Sequence, residues 1–370
     1  MKINEAFRMM HVVLKGKFMF NNFIALCIGL LILLPDLSYA QFTQDAETWE
    51  RDAAWRASAS VNTQTQKNKL QSLLKAGDDE ASLILIQEIQ REENWPTPAR
   101  ERVIYEYVSS LRQEAPHVVG DDLIAYLQNY QSTVFVAHED HPSGNVPLFN
   151  IKGAAAGVVN GWARQEAAFQ GAVLVQENPD SLSMAYLSET SLPKQQGLLD
   201  SLNTASPIQL KAISSFALES MEAHPELISV AARSALINLD LNVLMRLAES
   251  GQGPEMHVLF RGSTKRLDKA QNLHLLQAAL RNPSRGTAAL AIAQLAPGLA
   301  GVDASEELLL ETLGDPELGS SAALALVINP RSQLLQKLQV LAVPENNQLT
   351  AIRARLALQI YASRLTAEAQ

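Results

Sequence analysis

His138-Glu139-Asp140-His141 is the one run of clustered side chains in the sequence that could ligate a metal. The zinc-hydrolase pattern needs two histidines four apart on one helix face, with a glutamate after the first to serve as base. Here the histidines are three apart, and Pro142-Ser143-Gly144-Asn145 makes a turn directly afterwards. No third ligand is signalled nearby. The run therefore reads as a polar surface turn that offers His138, Asp140 and His141 as metal candidates, and no cofactor is expected. Nucleophilic catalysis has less support still. The chain lacks a G-x-S-x-G elbow and a Gly-rich phosphate loop, and its single cysteine is Cys27. The acidic pairs Asp78-Asp79, Glu92-Glu93 and Asp121-Asp122 fall at helix ends or turns. Carboxylates there favour helix N-termini or remain solvated. His117, His224, His257 and His274 stand singly and read as caps or packed side chains. No catalytic residue is expected.

The segment that carries the turn is more informative. Thr133-Val134-Phe135-Val136 and Val146-Pro147-Leu148-Phe149 face each other across Ser143-Gly144-Asn145, which predicts a β-hairpin near 132–150. A lone hairpin is marginal in water, so it must pack on helices, with Phe135, Leu148 and Phe149 as anchors. Pro147 confines its strand to an edge. Gly153, Gly157 and Gly161 follow, every fourth residue, ahead of Trp162. On a helix they make a bare stripe, each glycine costing about 1 kcal/mol relative to alanine. Close approach of another backbone, from the hairpin or a neighbouring helix, is the expected compensation. Two readings of the hairpin stay open: a plug between helical arrays, or an exposed element that touches a partner.

The elements around this segment are helical. Residues 1–40 look like a secretory signal peptide, with Lys2, Arg8, Lys15 and Lys17 ahead of the apolar Phe23–Leu34. Ser38-Tyr39-Ala40 supplies the small residues of a cleavage site before Gln41. The apolar run is too short for a membrane span of roughly 20 residues, although a retained anchor is the alternative. Removing four basic and two acidic residues (Glu5, Asp36) from the 30 and 39 of the whole chain leaves 26 and 37, a charge of −11. Such a surface argues against nucleic acid, whose phosphates need Lys and Arg. A cysteine-free mature chain must be held by core packing alone. The expected location is the periplasm or the medium.

Residues 41–66 read as an N-terminal helix and linker, and 67–205 as an irregular helical half that includes the hairpin. In residues 206–370 the helix starts repeat. Pro225, Pro254, Pro283 and Pro316 are 29, 29 and 33 residues apart, each beside a capping residue. Leu273–Leu295 superposes on Glu306–Ile328 over two helices, and Pro225–Leu239 resembles the second of them. Periods of this size indicate stacked helical hairpins. Asp315-Pro316-Glu317-Leu318, then Ala322-Ala323 and Leu326, resemble the second-helix pattern of HEAT-like repeats, over roughly 206–360. That family usually has a basic residue where this chain has Gly286 and Gly319, which puts the family's polar ladder between repeats in doubt. Leu349 to Leu365 reads as a terminal capping helix. The expected fold is all-α, an α-solenoid of stacked antiparallel hairpins with one inserted β-hairpin. The expected role is a scaffold or adaptor for a protein or peptide partner in the cell envelope. The alternative is an envelope hydrolase acting on cell-wall or glycan material in the superhelical groove.

Overall fold

Strong helix formers, short polar connections and side-chain caps make most of the chain helical, and a small sheet interrupts it once. The computed structural model describes residues 47–115, 119–139, 144–343 and 348–368. The expected signal segment, Asp140, His141 and His117 lie outside the described residues. Among the described helices, none is long and apolar enough to cross a membrane. The chain divides into two compact units, Met1–Ser110 with Val119–Ala155, and Leu111–Val118 with Ala156–Gln370.

The first unit contains β1 (Glu47–Trp49), α1 (Arg51–Ser58), α2 (Gln64–Ala76), α3 (Asp79–Gln90), α4 (Thr97–Ser110), α5 (Asp121–Gln128), β2 (Val134–Ala137) and β3 (Asn145–Pro147). Glu50 caps α1 by accepting from the amides of Asp52 and Ala53, and Asp78 caps α3 through the amide of Ala81. Gly77 ends α2 at φ +68°, a left-handed conformation that costs a glycine nothing. The expected hairpin is present: β2 and β3 pair antiparallel, with Phe135 opposite Pro147 and Ala137 opposite Asn145. The other edge of β2 is not free. β1 pairs with it in parallel, Glu47 opposite Val134 and Trp49 opposite Val136. Residues 47–49, expected in a helix and linker, therefore complete a three-stranded mixed sheet. Three residues without alternation give no strand signal of their own.

The second unit is a multi-helix array. The long α6 (Ile151–Glu177) leads into it, followed by α7 (Pro179–Ser188), α8 (Leu192–Ser201), α9 (Pro207–Ser220), α10 (Ile228–Asn238), α11 (Leu241–Ser250) and α12 (Met256–Arg266). Then come α13 (Lys269–Leu280), α14 (Arg285–Leu295), α15 (Asp303–Thr312), α16 (Gly319–Leu326), α17 (Ser332–Leu341) and α18 (Gln348–Glu368). Within two rows, helices pack on the next but one. α7, α9, α11, α13 and α15 form one row; α8, α10, α12, α14, α16 and α18 form another. A continuous core runs through the rows, from Val175 and Leu182 through Phe260 and Ile292 to Leu338 and Ala357. Ala288, Ala291, Ala322 and Ala323 are fully buried within it, which lets neighbouring helices close in.

Pro207 stands at the first position of α9 behind a capping box of Ser206 and Gln209. Pro283 and Pro316 instead lie in the turns ahead of α14 and α16, while Ser284 and Asp315 hold the free amides. Polar contacts tie helices and turns of the array together. Buried Asn282 donates to the carbonyls of Ala248 (2.8 Å) and Gly251 (2.9 Å). Arg285 reaches Asp315 (3.0 Å) and Glu317 (3.2 Å). Arg353, from α18, donates to the carbonyls of Leu313 (2.9 Å), Pro316 (2.7 Å) and Asp315. Gly319 has no side chain because the Arg353 guanidinium fills that space.

The glycines that permit close helix contact are not the expected ones. A Cβ on Gly197 of α8 would collide with the carbonyl of Arg164 and lie 2.8 Å from the Cβ of Ala167, both on α6. One on Gly161 would meet no described atom within 4 Å. Gly197→Ala should cost about 1–3 kcal/mol through overpacking. Gly161→Ala should instead gain up to ~1 kcal/mol of helix propensity. Paired thermal melts of the two variants check this; a Gly197→Ala protein as stable as the wild type would refute the close approach.

Candidate functional site

The site is built from α4 and the start of the sheet. Along α4, Glu101, Ile104 and Val108 fall on one stripe at spacings of three and four. The stripe faces inward, so the carboxyl of Glu101 is carried into the core and is 1% exposed. A buried carboxylate requires donors. Thr133, just before β2, supplies two to Glu101 Oε1: its amide at 2.6 Å and its hydroxyl at 3.1 Å. The carbonyl of the same residue accepts from the amide of Glu47 at 2.7 Å, which starts the β1 pairing. Glu101 Oε2 is buried and makes no hydrogen bond. Burial pushes the Glu101 carboxyl up to about 7, against the lowering effect of the two Thr133 donors.

A cavity of about 350 Å³ opens beside it, walled by Glu47, Gln90, Arg100, Glu101, Tyr130 and Thr133 among others. Arg100 is fixed by its terminal nitrogens, which donate to the Gln90 carbonyl (2.7 Å) and the Thr97 hydroxyl (2.8 Å). Its Nε is buried and makes no hydrogen bond. Glu47 accepts from the Trp49 indole (2.8 Å) and the Thr97 hydroxyl (3.4 Å). A second cavity, of about 460 Å³, shares Gln90, Tyr130 and Gln131 with the first and adds Tyr126, whose hydroxyl donates to Gln90 Oε1. Burial raises the phenol pKa of both Tyr126 and Tyr130, so both stay neutral donors. The arrangement puts a carboxyl that titrates near neutrality in a polar hollow, a combination that marks functional sites more often than structural ones.

The residues singled out in the sequence sit elsewhere in the unit or beyond it. Phe149 is buried and meets Trp55 edge-on (ring centroids 5.4 Å, 78°) and Tyr105 at 5.7 Å. These contacts hold it against α1 and α4. Phe135 and Leu148 are half-buried, and the inward positions of β2 belong to Val134 and Val136. His138 bonds through its amide to the Gly144 carbonyl at 2.8 Å. Glu139 forms an ion pair with Arg51, which also donates to the Ala137 carbonyl at 3.1 Å. Among the described residues no three His, Cys, Asp or Glu side chains gather as a metal site.

The glycine stripe does not receive a hairpin or helix; each glycine has its own surroundings. Gly153 donates its amide to Asn150 Oδ1 at 2.8 Å, and the Asn150 side chain occupies the space a Cβ would need. A Cβ on Gly157 would lie 3.1 Å from the Arg112 guanidinium, and Gly161 is open. Trp162 is buried and donates its indole N–H to the Glu114 carbonyl at 2.8 Å. Sequence reasoning missed Glu101, yet its signal was there: a lone carboxylate in register with the apolar residues 104 and 108.

Because the carboxyl binds a proton more tightly folded (about 7) than at its ordinary value of 4.5, the folded state holds the extra proton between those limits. Stability then falls as pH rises from ~4.5 to ~7, by roughly 3 kcal/mol from this group. Denaturant titrations of wild type and Glu101→Gln across that range should give a difference curve with this slope. A flat difference curve would mean that Glu101 titrates as a free carboxyl.

In comparisons with protein families, curated proteins and solved structures, nothing matches the chain, so its function is argued from its own geometry.

Proposed function

We propose that the chain is an exported scaffold: an α-solenoid of stacked antiparallel hairpins, HEAT-like in its later part, that holds a protein or peptide partner in the cell envelope. The observation that carries this reading is the two rows of helices, α7 to α15 and α8 to α18, whose members pack on the next but one. Stacked repeats of this kind make extended surfaces suited to long partners. Large apolar side chains are exposed near the start of the array, among them Phe169 and Val173, one turn apart on α6, and Ile208 at the start of α9 (84% exposed). Such side chains are the anchors that dominate protein interfaces. The hydrolytic alternative needs two carboxyl groups free to exchange protons with substrate and water. Glu47 is already engaged by Trp49 and Thr97, and no carboxylate besides Glu47 and Glu101 lines the same hollow among the described residues.

Export is tested by N-terminal sequencing of the processed protein, which should begin at Gln41; an N-terminus at Met1 would sink the signal-peptide reading. Partner binding is tested with the mature protein immobilised in an envelope extract. Phe169→Ser with Ile208→Ser should weaken capture about tenfold or more without lowering the melting temperature. Undiminished capture would place the binding surface elsewhere. The hairpin is best tested at the exposed Glu139, because deleting residues 132–150 removes Val134, Val136 and Phe149 from the core.

A further inference from the structure

The cavity beside Glu101 is separate from the helical array that carries the proposed scaffold role, and its chemistry selects a ligand. Its wall holds two carboxylates, Glu47 and Glu101, and one cation, Arg100. The terminal nitrogens of Arg100 are spent on the Gln90 carbonyl and the Thr97 hydroxyl, so its guanidinium face is not offered to an anion. Glu101 Oε2 makes no hydrogen bond among the described residues, on a side chain 1% exposed. Leaving such an atom unpaired costs free energy that a matching donor would recover. The phenol rings of Tyr130 and Tyr126 stand beside this hollow and the one it adjoins, and aromatic faces also favour cations. Arg100 Nε, a buried donor that makes no hydrogen bond among the described residues, suits an acceptor carried by the same ligand.

We propose that this cavity is a binding site for an organic cation, a primary ammonium or guanidinium group such as a lysine or arginine side chain presents, which pairs with Glu101. The pairing fills the vacant acceptor position and holds the carboxyl ionised. Because burial raises the Glu101 pKa, pairing with a cation shifts the carboxyl toward its ionised form, and binding releases protons near neutral pH.

Calorimetric titration of the intact mature protein at pH 7 with butylammonium and butylguanidinium, and with n-butanol as the neutral control, tests this. Saturable binding of the two cations and not of the alcohol is expected. The measured heat should differ between phosphate and MOPS buffers in proportion to the protons released and the difference in the two buffers' ionisation heats. Glu101→Gln should weaken cation binding at least about tenfold and abolish the buffer dependence. Absence of cation binding, equal binding of butanol, or cation heats independent of buffer in the wild type would each overturn the proposal. The buffer comparison needs no variant, so it stands even if Glu101→Gln folds poorly.

Discussion

A single residue, Thr133, joins the pieces of the first unit, and it does so through the carboxyl of Glu101. Its amide and hydroxyl bond to Glu101 on α4, and its carbonyl takes the amide of Glu47 that begins β1. Helix, central strand and parallel edge strand therefore meet at one point. A carboxylate satisfies two donors there that an apolar side chain would leave unpaired, at a cost of about 1–3 kcal/mol for each. The same arrangement leaves the second carboxylate oxygen without a partner, beside a polar hollow. Structural and binding roles thus come from opposite oxygens of one side chain.

The second unit depends on a different constraint. Most of its helices are short, and they share one continuous buried core, so each depends on its neighbours for burial. Apolar packing between such similar surfaces leaves register weakly specified. The buried polar contacts correct this: Asn282 can satisfy its amide only against Ala248 and Gly251, and Arg353 only against the turn at 313–316. A one-turn slip of α14 or α18 would strand these donors in the core. Asp315 serves twice, capping α16 through the amides of Glu317 and Leu318 while accepting from Arg285.

Helical periodicity made most of this architecture legible, because stripes such as Leu70–Leu74 and Val103–Val108 bury as their spacing requires. The hairpin was legible too, since β-branched residues on both sides of a Gly-Asn turn admit few other readings. The third strand was not, because Glu47–Trp49 owes its conformation to the edge of β2. The glycine stripe shows the reverse failure: a regular spacing with three unrelated explanations, an asparagine cap, an arginine and open space. At Gly197 the close backbone contact comes from a glycine with no repeating pattern. The candidate site hid because a lone glutamate on a helix is ordinarily a solvated one. Only its register with Ile104 and Val108 marks it as turned inward.

The two units interleave along the chain, and this governs how the molecule can be divided. Leu111–Val118 belongs with the later unit, although residues of the earlier one flank it on both sides. A fragment starting at residue 156 would lack Glu114, the acceptor for the Trp162 indole, and Arg112, the neighbour of Gly157. A fragment ending at 110 would lack β2, and with it the partner that makes 47–49 a strand. No single scissile point separates two self-sufficient pieces, so a protease that nicks the chain between the units leaves halves with mutual debts in their cores.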